Sequence, residues 1–175
     1  CKDIWFTGQY PHAIAANSNY VFVGHPSNNI SILDHRLNQR TTRSINTNYL
    51  SYSWGMSINP AGNRLAIADY NKNHVVEFSI SGDWLAYTQK TSSSYSSGNG
   101  YFQRPTDTGY DSSGNIYVSD LYGHRVQKFN SSLTYQGKVG SYSTSSGFRY
   151  PYGMHVDSND KVYATDFYNY AVRQY

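Results

Sequence analysis

The sequence predicts an all-β protein, on three observations. Short runs rich in Val, Ile and Tyr, such as Ile116-Tyr117-Val118 and Arg125-Val126-Gln127-Lys128-Phe129, are joined by tight polar turns, the pattern of antiparallel hairpins. No segment carries apolar residues at helical spacing. The hairpin unit also recurs along the chain.

The recurrence fixes the architecture. Pro105 to Asp120 and Pro151 to Asp166 match position for position, each ending on an Asp. A third copy is Gly62 to Asp69 followed by His74 to Phe78, with one residue inserted in the strand and one in the turn. A weaker fourth is Tyr20 to Gly24 followed by Asn28 to Asp34, where Gly24 takes the place of the Asp. Gly24, Asp69, Asp120 and Asp166 lie 45, 51 and 46 residues apart. A period in the forties built from short strands is the signature of a β-propeller with one four-stranded blade per repeat.

The units also resemble a known family. Pro, then Asp, Gly-Asn and Val-Ser-Asp, then His124-Arg125-Val126-Gln127-Lys128-Phe129, is similar to the NHL repeat. The resemblance implies a propeller. NHL domains include protein- and RNA-binding platforms, and related propellers include lyases and hydrolases, so function has to be argued from sites.

Taken in order, residues 3–7 are a short apolar strand in the place of an outermost strand, whereas the last unit stops at Tyr175 after its third. Asp3 to Thr7 beside Ala171 to Tyr175 would complete four blades, at about 11–52, 53–100, 101–147 and 148–175 plus 1–8, in one domain of residues 1–175. The rival is four consecutive blades of a larger, six-bladed propeller. Arg36, Arg40 and Arg43 read as protection of an exposed outer strand. Thr91 to Gly100, and Ser141 to Gly147 in the same place one blade later, read as flexible surface loops.

Of 175 residues, 38% are hydrophobic and 14% charged, while Tyr alone contributes 19, so tyrosine is expected to fill the sheet-on-sheet core. A net charge of +3 without a clustered basic face makes no case for nucleic acid. No window reaches the length of a membrane span. Cys1 is the sole cysteine, so it would pair with another chain or carry a lipid. Few charges, one thiol and many Tyr, Ser and Asn suggest an extracellular or cell-surface protein, in which case Asn29 and Asn130 fit the N-glycosylation pattern.

For chemistry, Asp69 with His74 and Asp120 with His124 recur at one repeat position; because a catalytic group is needed once and a clip in every blade, they read as structural hairpin clips. His155 is expected on an innermost strand facing the channel, as a weak metal candidate, since zinc needs three or four converging ligands and the equivalent places are Gly109, about Ser57 and about Ala15. No catalytic residue, cofactor or metal is assigned. The turns between the second and third strands of each blade carry His25, Tyr70, Tyr122, Phe167 and Tyr168, on the same face as Arg104 and Arg149, which lead into the next blades. Flat rings beside amides and guanidinium groups suit sugar faces, peptide side chains or unpaired bases. The expectation is a non-catalytic binding or structural module for a protein or glycan; the alternatives are a propeller lyase or hydrolase with a channel metal, and an RNA-binding NHL platform.

Overall fold

The computed structural model describes residues 10–175. They form fifteen antiparallel strands in four sheets, with one 3₁₀ turn at Phe167–Asn169. Blade 1 holds β1 (Ala13–Ala16), β2 (Tyr20–Gly24), β3 (Asn29–Asp34) and β4 (Gln39–Ser44). Blade 2 holds β5 (Ser53–Ile58), β6 (Arg64–Asp69), β7 (His74–Ser81) and β8 (Trp84–Lys90); blade 3 holds β9 (Pro105–Tyr110), β10 (Ile116–Asp120), β11 (Arg125–Phe129) and β12 (Tyr135–Val139). Blade 4 holds β13 (Pro151–Val156), β14 (Val162–Asp166) and β15 (Ala171–Gln174). This is the predicted all-β propeller of four blades, each strand pairing with its neighbour in sequence. The pairing expected of Asp3 to Thr7 lies outside the described residues, as does Cys1.

Alternation along the middle strands builds the seams, because successive side chains point to opposite faces of a sheet. On β6, Leu65 and Ile67 pack toward Phe22, Ile30 and Ile32 of blade 1, while Ala66 packs toward Tyr110, Ile116 and Val118 of blade 3. Val126 of blade 3 meets Val162, Ala164 and Met154 of blade 4. The largest fully buried side chains are five phenylalanines, Phe22, Phe78, Phe102, Phe129 and Phe148, followed by Ile and Leu. The expectation that tyrosine fills the core is therefore corrected: Tyr110 is the buried exception, with its hydroxyl donating to buried Glu77 at 2.7 Å. A phenol needs a polar partner when desolvated, and most tyrosines meet that need by staying at the surface.

The same alternation shifts the alignment of blade 1. Phe22 and Gly24 face blade 2, where a Cβ on Gly24 would collide with Ser53 and Met56. Ala66 and Ala68 hold these places in blade 2, so the residue that ends the strand in the manner of Asp69 is His25, not Gly24. His25 is fully buried, its Nε2 at 2.9 Å from Ser31 Oγ.

Two faces have no blade packed against them among the described residues. Val21 and Val23, with Ile14, Leu33 and Leu37, line an apolar groove of ≈ 350 Å³ on blade 1. On blade 4, Tyr163, Thr165 and Val172 repeat the places of Tyr117, Ser119 and Val126, yet Val172 is 68% exposed where Val126 is 1%.

Candidate functional site

Each blade ends its second strand on a group that ties down its own lead-in segment. Asp69 Oδ2 accepts the Ser51 N–H, Asp120 Oδ1 the Gln103 N–H and Asp166 Oδ1 the Arg149 N–H, all at 2.6 Å. These carboxylates are fully buried and their capacity is spent on structure. The geometry supports the structural reading, with one correction: Asp120 pairs with Arg125, Nε to Oδ2 at 2.8 Å, and not with His124. The turns of blades 2 and 3 are equal in length, Asp69 pairing with His74 and Asp120 with Arg125, so His74 and not Asn73 is the counterpart of Arg125 and the insertion expected in the turn of blade 2 is absent. His74 lies 3.8 Å from Asp69 and donates from Nε2 to the Tyr49 carbonyl while Nδ1 meets Ser93 Oγ.

The true counterpart of His124 is Asn73, and after it Tyr170, all with φ between 52° and 55°. Asn73 Oδ1 accepts the backbone N–H of Arg104, and His124 Nδ1 that of Tyr150. Arg104 and Tyr150 each precede a proline at the head of the next blade. These contacts latch successive blades together.

The Ser-rich loops are likewise held rather than loose. The Arg125 guanidinium donates to the carbonyls of Ser97, Gly98 and Tyr101, and Asn169 and Arg173 donate to those of Ser143 and Ser145.

With backbone needs met inside the blades, the turn side chains are left on one face, and there they form a nearly continuous aromatic surface. His12 packs edge-on against Trp54 at 4.6 Å, Trp54 stacks on Tyr70 at 4.5 Å, and Tyr52 stacks beside Trp54 at 5.4 Å. Tyr122 of blade 3 lies near enough to Tyr70 to act on its phenol electrostatically. Tyr122 meets Tyr150, Tyr150 meets Tyr168, Tyr168 meets Phe167, and Phe167 reaches Tyr152 at 6.1 Å. Tyr152 then returns to Trp54 at 5.7 Å, so the rings close a circuit. Arg104 lies over Tyr70 at 4.9 Å and Arg149 over Tyr168 at 5.3 Å. Burial, then the contact with Tyr122, raises the Tyr70 phenol, and burial raises Tyr152.

Of the expected site residues, Tyr70, Tyr122, Phe167, Tyr168, Arg104 and Arg149 come together on this face. His25 does not. It is packed inside blade 1 at 0% exposure, because it fills the strand-end position. Trp54, Tyr52 and Tyr152 were not expected as site residues; the signal for them is an aromatic ring directly before an inner-strand glycine in blades 2 and 4, Trp54-Gly55 and Tyr152-Gly153.

Below the rings a channel of ≈ 560 Å³ runs between the inner strands, lined by His12, Trp54, Asp107, Tyr152, Met154 and His155 among others. That volume is in the range of small-molecule sites. His155 stands on its wall, exposed, and among the described residues no three of His, Cys, Asp and Glu converge on a metal position. Asp107 is the carboxylate of the channel, and burial pushes it up to about 6, offset by the amides of Met154 and Thr108. Asn29 accepts a hydrogen bond from Ser44, and Asn130 Oδ1 accepts the turn amides of Ser132 and Thr134. Arg43 lies over Trp84 at the outer edge, away from the channel lining.

Residues 102–129 match the NHL repeat, and no curated protein matches the chain. Among solved structures, the chain is similar to one from a nidogen/laminin complex (16% identity, TM-score 0.70, 94% of this chain and 58% of that one). It is also similar to a streptogramin B lyase (15%, 0.68, 94% and 54%) and to an auxiliary nutrient binding protein from Bacteroides thetaiotaomicron (12%, 0.70, 89% and 44%). The chain thus spans less than two thirds of the length of each of these proteins, and likeness at such identity establishes the fold alone. The chain is a β-propeller of four blades whose third blade matches the NHL repeat.

Proposed function

We propose that this chain is a non-catalytic binding module, extracellular or cell-surface, that takes a protein or glycan ligand on its aromatic face. The observation that carries the reading is the circuit of rings contributed by all four blades, from His12 through Tyr70, Tyr122 and Tyr168 back to Tyr152 and Trp54. Tyr122, Tyr152, Phe167 and Tyr168 expose 40–60% of their surface there. Exposed flat rings held by their neighbours lose little freedom on binding, and the guanidinium groups of Arg104 and Arg149 supply directed donors beside them. The low charge, the abundance of Tyr, Ser and Asn, and the single cysteine support a location outside the cytoplasm. Two of the similar structures are described as a laminin complex and as nutrient binding, in keeping with a ligand-presenting propeller face.

Glycan and peptide arrays probed with the wild type, Tyr122→Ala, Tyr168→Ala and Arg43→Ala test the proposal. A stacked ring contributes about 1 to 3 kcal/mol with an unpaired base and similar or less here, so each Tyr variant should bind several-fold to about a hundredfold more weakly with an unchanged melting curve. Loss of binding in Arg43→Ala with full binding in both Tyr variants overturns it.

A further inference from the structure

We infer that the channel beneath the aromatic face is a subsite for an organic ammonium group, held between the carboxylate of Asp107 and the rings of Trp54 and Tyr152. The inference rests on the aromatic face being the ligand surface, and adds to it the chemical class of one ligand group.

Asp107 sits on β9, between β5 and β13. The inner-strand positions beside it are Gly55 and Gly153. A Cβ on Gly55 would collide with Asp107 Oδ1, and one on Gly153 would lie 3.9 Å from Oδ2. Gly55 therefore makes the room that the carboxylate occupies, and Gly153 borders it. The residues immediately before those glycines are Trp54 and Tyr152, whose rings meet edge to face at 5.7 Å. Thr106, next to Asp107, fixes the backbone of Tyr152 by donating to its carbonyl at 2.7 Å. The roof and the carboxylate are thus positioned by the same three strands.

The carboxylate is only partly satisfied. Oδ1 accepts the Thr108 N–H and Oδ2 the Met154 N–H, each at 2.9 Å, which leaves a lone pair on each oxygen. Among the described residues no Lys, Arg or His pairs with it, in contrast to Asp120 and Asp166, which hold Arg125 and Arg173. A half-buried carboxylate without a cation partner, opening on a channel, is complementary to a positive charge. The π faces of Trp and Tyr favour the same charge and are best suited to a diffuse one such as an alkylammonium. The Trp54–Tyr70 stack already holds one cation, Arg104, against Tyr70. A neutral or anionic group at Asp107 would forgo both interactions. The other titratable groups on the channel wall are His12, Tyr110, Tyr152 and His155.

The test is calorimetric titration of the full chain with choline and with 3,3-dimethylbutan-1-ol, its neutral isostere. Choline should bind about tenfold or more tightly than the alcohol. Asp107→Asn should remove that preference, and Tyr152→Leu should weaken choline by several-fold; the second variant keeps the test alive should the first not fold. With Asp107 charged only above about pH 6, choline affinity should fall as the pH is lowered through that value, and fall less in Asp107→Asn. Equal binding of the two probes, absence of choline binding to the wild type, or an unchanged preference in Asp107→Asn overturns the inference. If choline fails while the Tyr122 and Tyr168 variants still lose their array ligand, the subsite falls and the proposed function stands; if choline binds and those variants keep their ligand, the reverse holds.

Discussion

His124 Nδ1 accepts the backbone N–H of Tyr150 at 3.2 Å, across the boundary between blades 3 and 4. Both residues have left-handed backbone, φ 52° and 64°. The imidazole must then be the tautomer with its proton on Nε2, and burial holds its pKa below the usual histidine range. Asn73 does the same for Arg104 one blade earlier. Asn tolerates left-handed backbone and presents an acceptor, so His124→Asn should melt within about 0.5 kcal/mol of the wild type. His124→Ala loses the acceptor and keeps the strained φ, and should cost about 1 to 3 kcal/mol in urea unfolding.

The Asp120–Arg125 pair is buried on both sides, and the remaining guanidinium N–H groups hold the loop at residues 97–101. Arg125→Met strands a buried carboxylate and releases three carbonyls. Stability should drop by about 3 to 5 kcal/mol, and limited proteolysis should open first within 91–101. Arg125→Lys, a single donor without the fork, should restore only part of this.

Acid should weaken the fold through His74. Fully buried, it is held down to about 4 against an ordinary value of 6.5. The unfolded chain therefore binds the extra proton between those values, and stability present at neutral pH is lost as the pH falls from 6.5 toward 4. The loss from this residue should be about 3 kcal/mol. His25 and His124 are lowered by burial too and act in the same direction. Chemical denaturation at pH 7 and pH 4.5, with His74→Gln as comparison, reads the slope, which should flatten in the variant.

Val126 and Val172 hold the same repeat position at 1% and 68% exposure. Val126→Asp puts an unpaired charge into the blade 3–4 seam and should cost about 3 kcal/mol or more, whereas Val172→Asp should stay within about 0.5 kcal/mol. Equal effects in thermal melts would mean that the outer face of blade 4 is covered.

Much of this was legible in the residues. Hairpins and period appear because Pro105 to Asp120 and Pro151 to Asp166 repeat without gaps, and the ring face follows because Tyr70, Tyr122 and Tyr168 sit one or two residues after the strand-ending Asp. What escaped depends on alternation or on neighbouring blades. His25 was placed on the surface because its one-residue offset from Gly24 becomes visible only when Phe22 is seen to face blade 2. Arg125 was passed over for His124 because matching His74 with His124 by residue type shifts by one position two turns that are equal in length. Asp107 carries no signal of its own in the sequence, since the room it occupies is left by Gly55, on a strand some fifty residues earlier.

The carboxylate at the end of each middle strand has a further consequence for how the chain acquires its shape. Asp69, Asp120 and Asp166 reach back only 17 or 18 residues to the amides they bind. Blades 2, 3 and 4 are thereby closed by contacts local in sequence, and among the described residues the apolar seams lie between consecutive blades. Low sequence separation favours fast formation, and nearest-neighbour coupling lets order spread from whichever blade forms first. During synthesis, blade 2 can complete its sheet while blade 3 is still being made, and each new blade then assembles on the apolar face of the one before it.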